Sequence, residues 1–317
     1  MKRLLLGNLL AEADLARLIA TESRHRRHRP PPGTVLRTAA RRAAGLRVFA
    51  REGDLLWTPA DGPLDALEPT PELLAWCETP DSVRLRAEPR PCAADVPWDA
   101  PLRELVWHLP VAPPAVVAAV HHRAFQLRVA AELGCALPGA RMVESPGDLD
   151  RALREPAAPA SWIVKAPLSA AGRDRYIARQ GPALTDPKGR RTVEHLFERH
   201  GPLLFEPWME RIADYGCAAL LTAAALRIAG IHRQHVDGKG QFMGIDLDAG
   251  LPDRDRGRFL DVVAGVAAAL RREGYAGPFG VDAWTYRRPD GTAAFHPLGE
   301  INARMTFGLV AWAASRS

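Results

Sequence analysis

The chain has 317 residues, of which 47% are hydrophobic and 25% are charged, and its formal net charge is +5. This composition is not that of a disordered chain or of a protein built from long apolar membrane helices, so we expect no membrane partner. The length is sufficient for one large core or two modest ones, and the positive charge favours anionic ligands.

The first part of the chain, residues 1–108, is predicted to form one unit that begins with a short strand. The opening apolar run is interrupted by Asn8 and is not followed by a small-residue cleavage site, so a strand at 3–6 fits better than a signal peptide. The pattern then predicts a helix near 35–44 and two strands, LRVFA at 46–50 and LLWTP at 55–59.

A basic segment and four cysteines bear on partners and compartment. The run at 24–29 has no interleaved aromatic residue, so nucleic acid is not expected as a partner. The cysteines form no C-x-x-C pair, and their spacing fits neither a zinc site nor a disulfide framework. They are Cys77, Cys92, Cys135 and Cys217. We predict reduced thiols and a cytoplasmic protein.

Apolar spacing predicts a helix over 114–134 that ends at Gly134. Beyond it, short apolar runs alternate with turn signals, and two further helices are predicted near 192–200 and 256–273. Strands mixed with helices in this order predict an α+β fold with antiparallel sheets.

The first segment that suggests chemistry is SWIVKAPLSAAGRDRYIAR, at 161–179. Lys165 lies in the middle of an apolar strand, and a loop of small residues then leads into a returning strand. Small side chains let backbone N–H groups approach an anion, and a lysine supplies charge for phosphate oxygens. The alternative is a hairpin whose lysine reaches solvent along its own stem, and the sequence alone does not decide between the two.

The second segment, PLLFEPWMERIADYG at 202–216, is a strand that leads into an acidic, aromatic corner. A strand edge offers an adenine backbone donors and acceptors, and a carboxylate can accept hydrogen bonds from ribose hydroxyls. Glu206, Met209 and Asp214 are the candidates for this site. Taken alone, the pattern is more typical of an ordinary strand end with solvated acids.

The third segment, at 279–308, predicts a metal site. Glu300 and Asn302 are two residues apart on one strand and so share a face, and a turn at 289–291 can bring the strand of Asp282 beside them. Three oxygen ligands of this kind suit Mg²⁺. Arg304 shares the face and can neutralise charge during phosphoryl transfer. Without a cation the two carboxylates would repel each other, so Glu300→Gln is expected to relieve a strain.

The order of these segments resembles the ATP-grasp superfamily. A lysine strand with a small-residue loop is followed by a hinge strand, an aspartate strand and the motif E-x-N-x-R at 300–304. The resemblance covers about 110–317, and the helical stretch at 121–143 resembles the one that leads into the nucleotide lid. Arg123 stands where the family has its first phosphate-contacting lysine, and the loop at 169–173 has less glycine than the family pattern.

The resemblance implies a role for each matching residue. Its nucleotide-contacting residues would be Arg123, Lys165, Ser169, Gly172, Glu206, Trp208, Met209 and Asp214. Asp282, Glu300 and Asn302 would bind Mg²⁺, with Mn²⁺ as an alternative ion. Arg304 and Lys239 would act on the transferred phosphate. Separately, Arg233 and His235 are candidates for the acceptor pocket.

The resemblance also implies an architecture and an activity. Two α+β subdomains would clamp ATP: a lid over about 141–206 and a nucleotide- and metal-binding half over about 207–317, both within an ATP-grasp domain at 109–317. Residues 1–108 would be a smaller α/β domain that precedes them. The expected activity is an ATP-dependent carbon–nitrogen ligase that acts on small carboxylate and amine substrates. The alternatives are a phosphotransferase or kinase on the same scaffold and a non-catalytic ATP-binding protein.

Overall fold

A computed structural model describes residues 3–19, 33–87, 98–169, 173–179, 184, 186–237 and 242–315. These residues form three β-sheets and ten α-helices. The strands are β1 (Leu4–Leu6), β2 (Leu55–Trp57), β3 (Leu73–Ala75), β4 (Arg141–Val143), β5 (Trp162–Lys165), β6 (Arg175–Ala178), β7 (Leu203–Pro207), β8 (Glu210–Leu221), β9 (Leu226–Val236), β10 (Phe242–Asp246), β11 (Gly277–Arg287) and β12 (Ala293–Asn302). The helices are α1 (Glu12–Ile19), α2 (Gly33–Ala43), α3 (Pro80–Arg84), α4 (Leu102–Leu105), α5 (Pro114–His121), α6 (Arg123–Glu132), α7 (Pro146–Leu153), α8 (Pro187–His200), α9 (Asp253–Arg272) and α10 (Phe307–Ser315).

The N-terminal sheet is parallel, with the order β2-β1-β3. It confirms the predicted strands near 3–6 and 55–59. The predicted strand at 46–50 is wrong, because Ala44–Phe49 forms a 3₁₀-helix directly after α2. Its buried apolar residues, Leu46 and Phe49, are three apart, and this spacing aligns side chains in a 3₁₀-helix but not in a strand.

The helix predicted over 114–134 is two helices, α5 and α6. The chain is extended at His122 (ψ 134°), whose side-chain nitrogen accepts a hydrogen bond from the Ala124 N–H and so caps α6. At this break the Arg123 N–H donates to the Pro167 carbonyl, just after β5. The break therefore holds the start of α6 against the segment that follows β5, the strand that carries Lys165. The predicted stop is confirmed, since Gly134 has a φ of 63°.

The second sheet has the order β4-β7-β5-β6 and contains the predicted hairpin, β5 and β6, in antiparallel register. One face packs on α7 and α8 around Trp162, Val164 and Phe205, which are almost fully buried. The other face carries Lys165 and Glu206, which are diagonal neighbours on β5 and β7. These two polar residues therefore point away from the core of this sheet.

The third sheet is antiparallel, with the order β10-β9-β8-β11-β12. The long helix α9 packs on it through apolar side chains that recur with helical spacing, including Phe259, Val263 and Val266. Asp282 on β11 is the direct register partner of Glu300 on β12, and Gly280 is that of Asn302. The predicted folding of the aspartate strand beside the glutamate strand is confirmed.

Two further features concern the whole described part of the chain. None of its helices combines the length and apolar character needed to cross a bilayer. Cys77, Cys135 and Cys217 are buried, and no disulfide joins them. Cys92 and the basic run at 24–29 lie outside the described residues.

Candidate active site

An open cleft of about 260 Å³ lies between the second and third sheets. Most of the predicted site residues line it, although they come from six separate parts of the chain. They are Arg123, Lys165, Ser169, Trp208, Asp214, Asp282, Glu300, Asn302 and Arg304. Glu206 is next to the cleft as the ion-pair partner of Lys165. The fold thus brings together residues that were predicted as separate motifs.

The carboxylate of Asp282 is held by two amides. Gln234 Nε2 donates to Asp282 Oδ1 at 2.7 Å, and Asn302 Nδ2 donates to Asp282 Oδ2 at 3.0 Å. Burial, and then the nearby charge of Glu300, raise the pKa of Asp282 to about 6. Two carboxylates and an amide therefore meet at adjacent strand positions, where the charge of Asp282 is costly. A divalent cation would offset that cost, so this donor set fits Mg²⁺.

Two arginines flank this cluster. Arg123 Nη2 donates to Glu300 Oε1 at 3.0 Å, and its Nη1 donates to Gln126 at 3.1 Å. Arg304 Nη2 donates to Asn302 Oδ1 at 3.1 Å. Burial raises the pKa of Glu300, but the charges of Arg123, Lys165 and Arg304 outweigh it and hold that pKa below its usual value. Glu300 is therefore stabilised as an anion, unlike Asp282.

Lys165 forms an ion pair with Glu206 in which each side chain is only 14% exposed. Burial lowers the pKa of the Lys165 ammonium, and the adjacent Glu206 carboxylate offsets part of this effect. The lysine therefore does not extend into solvent, as in the alternative interpretation of its sequence. It lies inside the cleft together with Arg123 and Glu300.

The acidic, aromatic corner contributes an arginine that the sequence did not single out. Arg211 donates to Asp214 Oδ1 at 2.7 Å, and its guanidinium lies 3.9 Å from the centre of the Trp284 ring. Asp214 is buried on the long strand β8. Trp208 is anchored through its backbone N–H, which donates to the Ser161 carbonyl. Charged and aromatic groups thus lie side by side in this corner of the cleft.

Some predicted residues fall outside this arrangement. Met209 is half-buried but does not line the cleft, and Gly172 and Lys239 lie outside the described residues. Arg233 and His235, the candidates for the acceptor pocket, are exposed on the opposite face of β9 from the cleft.

The residues of β9 that do face the cleft are His232, Gln234 and Val236. The register of β8 with β9 shifts between Ala218 and Ala219. Successive side chains of β9 point to opposite faces of the sheet. The pairing of β9 with β8 determines which of these faces lies on the cleft. None of these three residues belongs to the motifs that indicated the site.

Gly299 makes room for the Trp284 ring, and this yields a stability prediction. A Cβ atom at position 299 would overlap that ring, so Gly299→Ala is expected to lower the free energy of unfolding by about 1–3 kcal/mol. Urea denaturation measures the change. The matched control is Gly244→Ala on β10, where a Cβ would meet no atom within 4 Å. Equal stability of the two variants would contradict the packing described.

No protein-family model matches the sequence, and no curated protein sequence matches it. Among solved structures, the chain is similar to a biotin carboxylase–beta-gamma-ATP complex from Campylobacter jejuni, with a TM-score of 0.56 and 10% identity. That similarity covers 98% of this chain and 70% of the carboxylase chain.

The chain has the ATP-grasp fold. This confirms the predicted fold class. At 10% identity the likeness concerns the fold, so the chemistry of this chain rests on its own side chains.

Two other solved structures are similar over a smaller part of the chain. One is the ADP complex of N5-carboxyaminoimidazole ribonucleotide synthetase, with a TM-score of 0.45, 13% identity, and coverage of 60% of this chain and 46% of that chain. The other is VanG D-Ala:D-Ser ligase from Enterococcus faecalis, with a TM-score of 0.45, 15% identity, and coverage of 60% and 54%. The chain thus spans about half the length of these two proteins.

Proposed function

We propose that this protein binds Mg-ATP in the cleft and uses it to activate a small carboxylate as an acyl phosphate, which an amine then attacks. The observation that carries the proposal is the cluster of Asp282, Glu300, Asn302 and Arg304 across one cleft from Lys165. The solved structure that is similar over almost the whole chain is a biotin carboxylase–beta-gamma-ATP complex, which supports a nucleotide in the cleft.

The proposed reaction has two steps. A substrate carboxylate oxygen attacks the γ-phosphorus of ATP, the bond from that phosphorus to the β–γ bridging oxygen breaks, and ADP leaves. The amine nitrogen then attacks the acyl carbon, the bond from that carbon to the phosphate oxygen breaks, phosphate leaves and the nitrogen loses a proton. Neither step needs a covalent bond to the protein, so placement and charge neutralisation are the protein's contribution.

Each residue has a proposed part in this reaction. Lys165 and Arg123 would hold phosphate oxygens, and Arg304 would stabilise charge on the transferred phosphoryl group. Asp282, Glu300 and Asn302 would hold Mg²⁺, which when bound neutralises phosphate charge. The second sheet, within the predicted lid at 141–206, would close over the phosphates. The adenine site near Glu206 and Trp208, the domain limits and the cytoplasmic location remain predictions.

Calorimetry tests nucleotide binding. ATP with Mg²⁺ is expected to bind at about one site, and omission of Mg²⁺ is expected to weaken binding because two carboxylates then face the phosphates uncompensated. The absence of binding and of any rise in melting temperature at millimolar Mg-ATP would overturn the proposal.

Hydroxylamine distinguishes the ligase from its alternatives. An acyl phosphate reacts with hydroxylamine to give a hydroxamate and phosphate. A kinase that phosphorylates a hydroxyl group would give no hydroxamate, and a non-catalytic ATP-binding protein would release no ADP. Hydroxamate formation that depends on both ATP and a carboxylic acid is the expected result.

A further inference from the structure

The cleft extends beyond the carboxylate cluster to an end lined by aromatic rings. Trp76 follows β3, Phe307 begins α10 and Phe242 begins β10. The Trp76 and Phe307 ring centres are 4.7 Å apart, and Phe307 and Phe242 are stacked, with centres 5.0 Å apart and planes within 11° of parallel. Together the three rings form a continuous apolar wall, which we call the aromatic wall.

The aromatic wall is bordered by cations at both ends. Arg304, which also donates to Asn302, lies 5.8 Å from the Trp76 ring centre. Arg42 lies 5.9 Å from the Phe242 ring centre and donates to the Phe242 carbonyl at 2.9 Å. Arg304 therefore touches both the proposed phosphoryl-transfer cluster and the aromatic wall.

Each acidic group that lines the described part of the cleft already has a partner. Among the described residues that line it, the acids are Asp214, Asp282 and Glu300. Asp214 pairs with Arg211, Glu300 pairs with Arg123, and Asp282 is held by two amides in the proposed metal cluster. An ammonium group bound beside the aromatic wall would thus find each of these lining carboxylates already paired, and Arg42 and Arg304 would repel it.

From this arrangement we propose that the carboxylate substrate has an apolar body and no ammonium group beside its carboxyl. The body lies against Phe307 and Phe242, and the carboxylate points towards Arg304. Trp76, which is 3% exposed, supports this surface through its contact with Phe307. Burial of a planar or hydrocarbon body against these rings supplies affinity, while the arginine selects the charged end. This inference rests on the proposed function, because it names the substrate class of the same cleft.

Calorimetry with 3-phenylpropionate and phenylalanine tests the proposal directly. The two share a ring, a chain length and a carboxylate, and they differ by the ammonium group. Each is titrated into the full chain with and without Mg-ATP. We expect 3-phenylpropionate to bind at least about tenfold more tightly than either enantiomer of phenylalanine. No binding of 3-phenylpropionate under both conditions, or equal or tighter binding of phenylalanine, would overturn the proposal.

A matched pair of variants locates the binding. Phe242→Ala removes a ring of the aromatic wall, whereas Met243→Ala removes its neighbour on β10, which is 69% exposed and does not line the cleft. Phe242→Ala is expected to weaken binding of 3-phenylpropionate about tenfold, and Met243→Ala is expected to leave it unchanged. Equal affinities of the two variants would place the acid elsewhere and overturn the proposal.

Failure of this inference and failure of the proposed function give different results. If Mg-ATP binds and hydroxamate forms only with phenylalanine or with small polar acids, the ligase proposal stands and the apolar substrate class is wrong. If Mg-ATP does not bind but 3-phenylpropionate does, and Phe242→Ala weakens it, the aromatic wall binds carboxylates and the ATP-dependent activity is wrong.

Discussion

Glu300→Gln and Asp282→Asn are both expected to lower turnover by at least about 10²-fold, while they change stability in opposite directions. Each removes one carboxylate of the proposed Mg²⁺ site, and loss of a preorganised charge at a phosphoryl-transfer centre costs about this much. Asp282 and Glu300 are register partners, but the charges around the two carboxylates differ. This difference in surroundings is the reason for the opposite effects on stability.

Asp282→Asn is expected to stabilise the unliganded protein. Burial and the charge of Glu300 raise the pKa of Asp282 to about 6, so its anion is less stable in the folded than in the unfolded chain at pH 7. A neutral amide removes that cost. The free energy of unfolding should rise by about 1–2 kcal/mol at pH 7, because the lost hydrogen bond to Asn302 offsets part of the gain.

Glu300→Gln is expected to destabilise the unliganded protein. The pKa of Glu300 is held below its usual value by Arg123, Lys165 and Arg304, which shows that its anion is favoured in the fold. The variant also leaves the Arg123 guanidinium, which is 7% exposed, without its carboxylate partner. The sequence suggests that Glu300→Gln would relieve the repulsion between the two carboxylates. In the structure, Asp282→Asn is the substitution expected to do so.

Urea denaturation without nucleotide and ADP release with nucleotide measure the two effects. Stabilisation by Glu300→Gln, or destabilisation by Asp282→Asn, would show that the charges are arranged differently. Near-normal turnover in either variant would show that the carboxylate is not part of the metal site. His195→Gln is a suitable control, because that side chain is 63% exposed on α8 and away from the cleft.

The cluster proposed to bind Mg²⁺ was predictable from the sequence because its geometry is local. Glu300 and Asn302 share a face by strand alternation, and a short turn pairs their strand with that of Asp282. Arg123 was assigned only through the family resemblance, because its contact with Glu300 joins residues 177 positions apart. The spacing of apolar and polar residues along the sequence cannot predict a contact between residues so far apart.

Other features depend on tertiary structure that no local pattern reveals. The aromatic wall gathers Trp76, Phe242 and Phe307 from three distant segments, and each looks in sequence like an ordinary core residue. The run LRVFA has a composition typical of a strand, yet it forms a 3₁₀-helix because its buried residues are three apart.

Lys165→Ala is expected to reduce both nucleotide binding and stability. The sequence alone suggests that this substitution would act mainly on nucleotide binding. In the structure, however, Lys165 is the ion-pair partner of Glu206, and both side chains are 14% exposed. Removing one partner of a buried pair leaves an uncompensated charge, which costs about 3–5 kcal/mol. A weaker affinity for ATP in this variant alone would therefore not distinguish a lost phosphate contact from a disturbed fold.

The double variant Lys165→Met with Glu206→Gln separates the two roles. Both replacements are neutral and similar in length to the native side chains, so the second sheet keeps its packing and no buried charge is left unpaired. Replacement of a buried ion pair by neutral groups is often close to neutral for stability. We expect the double variant to recover most of the stability that Lys165→Ala loses, as measured by urea denaturation.

Affinity for ATP is expected not to recover with stability. If Lys165 holds phosphate oxygens, the double variant still lacks that charge, and its Kd for Mg-ATP should stay at least about tenfold above that of the native chain. The single variant Glu206→Gln is the matched comparison, because it keeps the lysine and removes only the carboxylate. Native affinity in the double variant would show that Lys165 serves the fold alone. Strong ATP binding by Glu206→Gln with weak binding by the double variant would assign the phosphate contact to the lysine, since these two proteins differ only at position 165.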